Sequence, residues 1–406
     1  MHSMRWPTSA AIPVVLATLL AGCGTDGGSR ADDNSASAGA AGSTEPGKRP
    51  GSRIVLAVTD GQSHASVRRS GRVTVRGGTL RDVVLSTGGR TVPGRMSPDR
   101  LSWTPVGDLD YDSRYTLVAT ATSEDGRDAT EKASFTTLRE SERFVGTFTP
   151  DDGSTVGVGM PVSFTFDKAI ANKRAVEEAI TVRSSSGRPV VGHWFGDRRL
   201  DFRPQDYWKP HSTVSVKIAL DGVKGADGAY GYQNKTVTFT VGRSQVSTVD
   251  AAAHTMKVSR DGKPLRTVPI TAGAPESPTY NGQMVVSEKL VQTRMNGATV
   301  GFAGQYDIPD VPHAMRLSAS GTFIHGNYWG ADSVFGRSNI SHGCIGLKDA
   351  QGGGDAARDG AWFYSQSLIG DVVIVKNSKD RTIAPDNGLN GWNMSWADWQ
   401  AGSAAH

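Results

Sequence analysis

Two stretches of the chain lying 99 residues apart share one pattern. "RLSWTPVGDLDYDSRYTLVATA" and "RLDFRPQDYWKPHSTVSVKIAL" align Leu101 with Leu200, Trp103 with Phe202, Pro105 with Pro204 and Leu117 with Val216. Each copy closes on a strand-like run, "KASFTTL" in the first and "KTVTFTVG" in the second. A duplicated unit of about a hundred residues, built of short alternating runs between Gly, Asp and Pro turns, predicts two β-sandwiches. They occupy 51–140 and 141–243. The chain has 2 cysteines, and no pair falls inside this region, so packing alone must hold the sheets together. In the second copy "KRAVEEAI" reads as a helical turn or two.

The spacing and strand content of both copies fit Ig-like domains. From about Gln245 the pattern changes, and a third β-rich domain spans 244–377. "QVSTVDAAAHTMKVSRDGKPLRTVPITAG" alternates as hairpin strands around the turn "RDGK", and "VVSEKLV", "GATVGF" and "GTFIHG" read as further strands. The β-branched run of "GDVVIVK" predicts a buried strand. Residues 378–406 lack this pattern but carry Trp392, Trp396 and Trp399. Their three- and four-residue spacing puts them near one face if the segment is helical. Three tryptophans in water would be an unusual apolar patch, so the tail is expected to dock on the other domains. The fold class is mainly β.

The first residues read as an export signal, 1–22. Arg5 precedes "AAIPVVLATLL", an apolar run too short to span a bilayer comfortably. It ends in "LAGC", which resembles the lipobox of bacterial lipoproteins and implies diacylglycerol on Cys23 after cleavage. Residues 23–50 hold little to bury and predict a disordered tether with a mean span of about 30 Å. The expected location is the extracytoplasmic face of the cell membrane, through a lipid anchor. A net charge of +4 with interspersed signs and no dense basic run gives no footing for nucleic acid. About 350 residues remain beyond the tether, enough for two to four domains.

If Cys23 carries lipid, Cys344 has no disulfide partner, and an unpaired thiol in an exported protein needs a reason. Cys344 sits in "SHGCIGL", with His325 nineteen positions earlier at the end of "SGTFIHG". A free thiol is only a few per cent ionised at neutral pH. An adjacent imidazole can take its proton, or sit as imidazolium beside the thiolate. Gly343 permits a turn aiming the backbone N–H groups of His342, Gly343 and Cys344 at one point, as an oxyanion cradle. Nucleophile, base and oxyanion donors in one segment are the parts of thiol acyl transfer.

A histidine at a strand end, a gap, then "SHGC" is similar to the signature of the L,D-transpeptidases, bacterial enzymes that make 3→3 peptidoglycan cross-links. The lipobox, two Ig-like domains, β-rich domain, Trp-rich tail and "FRPQDYWKPHS" resemble actinobacterial members. The resemblance implies that 244–377 is the catalytic domain, with Cys344 as the acylated nucleophile and His325 as the proton acceptor and donor. It implies that the Gly326 carbonyl orients His325 and that His342, Gly343 and Cys344 supply the oxyanion amides. Tyr306 and Met295 fall where the family's substrate lid contributes contacts. Trp329, Ser341 and Gly346 are the remaining candidates for substrate contact. At Gly346 the family usually carries Asn, so a side-chain amide for substrate or loop is missing there. Implied partners are a donor tetrapeptide stem, an acceptor amine and, as covalent inhibitors, carbapenems. No metal or organic cofactor is implied.

Other readings use the same residues. His325, His342 and Cys344 are good zinc ligand types, though no HxH or HExxH spacing joins them. A non-catalytic envelope-binding lipoprotein would make the sandwiches the functional part. Water as acceptor would make the protein an L,D-carboxypeptidase or other hydrolase through the same thioester. The alternatives are a loop-holding role for His342, a substrate platform or loop packing for Tyr328 and Trp329, and core filling for Met295 and the lid aromatics. His193 and His211 read as surface residues, and His254 and His313 as structural or solvent-facing.

Overall fold

The computed structural model describes residues 51–301 and 303–405. The export signal, Cys23 and the tether lie outside the described residues. Among those described, no helix is long and apolar enough to cross a membrane.

The first repeat copy is two sheets around one core, and the second is two four-stranded sheets with a small three-stranded one beside them. In the first, a four-stranded sheet faces a five-stranded one. Strand Arg114–Ser123 alternates strictly, burying Tyr115, Leu117, Ala119 and Ala121 against Trp103 and Phe135. The Tyr115 hydroxyl accepts the Asp110 N–H at 3.0 Å, tying the strand's start to the turn before it. In the second copy, Phe202 stands on the strand equivalent to that of Trp103, packing on Phe164 and, with it, on the core of Phe166, Trp194 and Phe239. The aligned pair Leu101 and Leu200 differ, exposed at the first site and buried at the second. "KRAVEEAI" contains helix α1, Lys173–Glu178, whose first turn is capped by the Asn172 side chain accepting the Ala175 N–H.

The third domain has nine strands: β1 (Gln245–Asp250), β2 (Thr255–Arg260), β3 (Lys263–Thr271), β4 (Gly282–Val285), β5 (Glu288–Asn296), β6 (Asp307–Arg316), β7 (Phe323–Asn327), β8 (Ile345–Lys348) and β9 (Val372–Lys376). They form one sheet in the order β4-β9-β1-β2-β3-β8-β7-β6-β5. The "VVSEKLV" run is not one strand. It ends β4 at one edge of the sheet and begins β5 at the other, with only Val286 and Ser287 between. Two residues reach roughly 10 Å at most, so the sheet must curl until its edges nearly meet. Met256, Val258, Ile270, Met315, Ile324, Ile345 and Val373 fill its inside together with Phe363 of helix α2 (Asp359–Gln366).

"GATVGF" also departs from expectation. Gly297–Val300 is a 3₁₀ turn linking β5 to β6. The Asn296 side chain takes the Ala298 N–H, and Gly301 closes the turn at φ 87°. A local cap overrides the β-propensity of the run.

The tail ends in helix α3, Trp396–Ala401, begun by Ser395 accepting the Asp398 N–H. Trp399 is fully buried and its Nε1 donates to the Val191 carbonyl of the second sandwich at 3.0 Å. Trp392 donates to the Gly159 carbonyl, and the second sandwich's core runs on through Val285 and Val372 to Trp392. Asn390 binds the third domain instead, accepting from Val285 N–H and donating to Leu317 O. Trp396 is only half-buried. His193, read as a surface residue, is buried against Trp399 at 4.8 Å between ring centres. The tail's docking creates a burial that no feature near His193 announces.

Candidate active site

Strands β7 and β8 run parallel at the centre of the sheet, with Ile324 opposite Ile345 and His325 opposite Gly346. Side chains alternate faces along a strand. Cys344, one residue before Ile345, therefore shares a face with His325, and so do Gly346 and Asn327. Cys344, His325, Asn327 and Gly346 line one cavity of about 140 Å³, closed by Met295, Tyr306 and Ile308 from the β5–β6 hairpin. Ile340, Ser341, His342 and Trp329 complete its wall.

His325 is 5% exposed, and its Nδ1 donates to the Gly326 carbonyl at 2.9 Å. That bond places the proton on Nδ1 and leaves Nε2 as the acceptor. Burial holds the imidazole below its ordinary pKa, against the Gly326 carbonyl and the Asp349 charge, which favour the imidazolium. Asp349 is buried and paired with His313 Nδ1 at 2.8 Å, which makes His313 structural. Gly326 must be glycine because Asp349 fills the space where a Cβ would go.

The Cys344 thiol faces the Gly321 carbonyl at 3.6 Å. Burial pushes it up to about 11, opposed by the Phe323 N–H. A raised thiol beside a lowered imidazole is a neutral pair at rest. Of the two arrangements open from sequence, the directions of these shifts favour an imidazole that takes the proton as the sulfur attacks.

The segment before Cys344 is held along the end of β3. Thr271 Oγ1 donates to Ser338 O and accepts from the Ile340 N–H, Ser341 N–H donates to Ala272 O, and Ala274 N–H to Ser341 O. Within the turn, Ser341 Oγ donates to the Cys344 carbonyl at 2.6 Å and accepts the Gly343 N–H at 3.2 Å. Gly343 lies at φ 111°, in the region that favours glycine. Ser341 is thus a staple of the turn as well as part of the cavity wall. The Gly343 N–H is thereby engaged by Ser341 Oγ in the resting turn, while the sulfur's own neighbours are the Gly321 carbonyl and the Phe323 N–H.

The lid residues face the site. Tyr306 packs on His342 at 4.8 Å, and burial raises its hydroxyl's pKa, with the Cys344 charge adding to the rise. Trp329 is 42% exposed and stacks on His325 at 5.6 Å and 13°. Tyr328 turns away to bond Asp310. Beyond His342 and Gly343 opens a second hollow, bordered by Glu276, Tyr280, Tyr306, Gly321 and Asp380. Among the described residues no group of three His, Cys, Asp or Glu side chains is placed to hold a metal ion. His254 bonds Asn339 and is structural; His211 is exposed. Ile308, Asn327 and Ile340 line the cavity without having been picked from sequence. Only Asn327 carried a signal: it stands two positions beyond His325 on the same strand, hence on the same face.

A family model described as the L,D-transpeptidase catalytic domain matches residues 244–375, and a bacterial Ig domain model matches residues 62–224. The chain is 33% identical to L,D-transpeptidase 2 of Mycobacterium tuberculosis over 360 residues, 87% of this chain and 85% of the relative. With L,D-transpeptidase 5 of the same organism it shares 31% over 342 residues, 82% of this chain and 72% of the relative. A solved structure of L,D-transpeptidase 3 from Mycobacterium tuberculosis with a faropenem-derived adduct aligns at 27% identity and a TM-score of 0.46. That alignment covers 57% of this chain and 97% of the other.

Proposed function

The chain belongs to the L,D-transpeptidase family, cysteine-dependent acyltransferases of peptidoglycan, and on that premise we propose the course of its reaction and its place in the cell. Cys344 attacks the carbonyl of the third residue, a diamino acid, in a donor tetrapeptide stem while His325 Nε2 takes the thiol proton. The tetrahedral oxyanion faces the backbone amides of the turn 342–344, where the Gly343 N–H exchanges its Ser341 Oγ partner for the developing charge. Its collapse forms the thioester and expels D-alanine, whose amine receives the proton from His325. The side-chain amine of a second stem then attacks the thioester, gives a proton back through His325, and leaves a 3→3 cross-link and the free thiol. Met295, Tyr306 and Trp329 hold the stems.

The observation that carries this reading is the shared face of Cys344 and His325, with His325 Nδ1 committed to the Gly326 carbonyl. Incubation of the protein with a donor tetrapeptide and an acceptor stem tests it. D-Alanine and a cross-linked dimer should form, and Cys344→Ala should form neither. Free tripeptide without dimer would make water the acceptor and the protein a carboxypeptidase.

Cys23 is the proposed lipid attachment site, left N-terminal by removal of 1–22, and the protein is then held at the outer face of the cell membrane. The motif "LAGC" supports this. The two sandwiches act as a spacer that carries the site into the wall. Labelled palmitate should enter the wild-type protein in cells but not Cys23→Ala. Carbapenems, whose strained lactam offers a carbonyl to the same thiolate, are proposed covalent inhibitors.

A further inference from the structure

Asn327 is 5% exposed and lines the cavity that holds Cys344 and His325. Its Oδ1 accepts the Gly330 N–H at 2.8 Å, which fixes the orientation of the amide, since Nδ2 in that place would oppose a donor. Nδ2 has no protein partner among the described residues. Two glycines make room for the group. A Cβ at Gly346 would stand 3.2 Å from Asn327 Nδ2 and 2.8 Å from Thr271 Cγ2; one at Gly330 would stand 3.1 Å from Oδ1 and 3.2 Å from Nδ2. The carboxamide therefore lies between two bare stretches of backbone, with one end tied and the other facing the cavity.

The Nδ2 end is not sealed off, so an acceptor entering the cavity can take its N–H₂ in place of solvent. We propose that Asn327 is a substrate-positioning residue whose Nδ2 donates to a carbonyl or carboxylate oxygen of the donor stem. The assignment rests on the transpeptidase reading of the site. Gly346 follows Cys344 by two positions on the same face, a rise of roughly 6–7 Å. Nδ2 lies over Gly346, so the oxygen it takes sits about two residues along an extended stem from the carbonyl under attack. Position 346 lacks a side-chain amide because the amide of the neighbouring strand fills its space. Gly346 is thereby a requirement of Asn327 rather than a loss.

The test compares wild type with Asn327→Asp and Asn327→Leu in the full chain, using a tetrapeptide donor and an acceptor stem. Asp keeps an oxygen for the Gly330 N–H and removes the N–H₂; Leu removes both without adding charge. Each variant should raise KM for the donor tenfold or more, while in Asn327→Leu, which adds no charge beside the thiol, alkylation of Cys344 by iodoacetamide stays within twofold. A donor KM within twofold of wild type in either variant overturns the proposal. So does a parallel fall in alkylation in Asn327→Leu, which would mean that Asn327 merely shapes the loop around the thiol. Failure of the underlying reading looks different: the wild-type protein itself would release no D-alanine.

Discussion

At Cys344 burial pushes the thiol up to about 11, and at His325 burial pushes the imidazole down. Both shifts work against a preformed thiolate–imidazolium pair, so thiolate at rest should appear only as pH climbs past the ordinary thiol range of roughly 8.5. Alkylation of the resting protein by iodoacetamide should therefore keep rising from neutral pH into the alkaline range. A plateau between about pH 5 and 8, the mark of an ion pair, would contradict the neutral resting state. His325→Ala should abolish most D-alanine release yet leave slow alkylation. Faster alkylation without His325 would show that it does not activate the thiol. Cys344 and His325 were legible because their motif is local. Their pairing was read through the resemblance of the motif; its physical basis, β7 and β8 lying parallel in one register, is a choice made by the whole sheet and was not legible. Asn327 stayed hidden because an asparagine looks like any loop polar residue until its unpaired Nδ2 is seen.

The turn 341–344 is the element that presents the sulfur, and Ser341 holds it together from inside. Ser341→Ala removes two hydrogen bonds, worth about 0.5–1.5 kcal/mol each. Denaturant melts should show a loss of about 1–3 kcal/mol, with D-alanine release falling tenfold or more. Full activity in this variant would mean that the staple has no part in aligning the amides. The lid is the element that sequence served least well. Met295 and Tyr306 line the cavity, but the "GATVGF" run between them read as a strand. Asn296 and Gly301 turn it into a 3₁₀ loop through a side-chain cap and a left-handed residue, which a count of β-formers does not weigh. The split of "VVSEKLV" between opposite sheet edges was illegible for a similar reason: both halves favour strand, and only closure of the sheet separates them.

Across the whole molecule, the tail joins the second sandwich to the catalytic domain. The Arg203 guanidinium lies 4.2 Å from the Trp399 ring centre and 4.7 Å from that of Trp392, and burial lowers its pKa to about 10. Asn390 and Asn393 bind the catalytic side of the same junction. Trp399→Ala should cost about 3–5 kcal/mol, the usual penalty for emptying a buried Trp site. Hydrogen exchange should speed up in Val191–Phe195, where Trp399 docks. Unchanged melting and exchange would show that the tail does not brace the two domains. The duplication made both sandwiches legible from 99-residue spacing, and the tryptophans announced the docking. Which of them is buried was not legible, as Trp396 and Trp399 differ only in how α3 faces its partner.

The central claim is that Cys344 is an activated acyl acceptor facing backbone donors. Intact-mass measurement of the protein after exposure to a carbapenem tests it most directly. The account predicts one carbapenem mass per chain, on the peptide containing "SHGC", unaffected by EDTA and missing from Cys344→Ala. No adduct on the wild-type protein, or an adduct on any other residue, would contradict it.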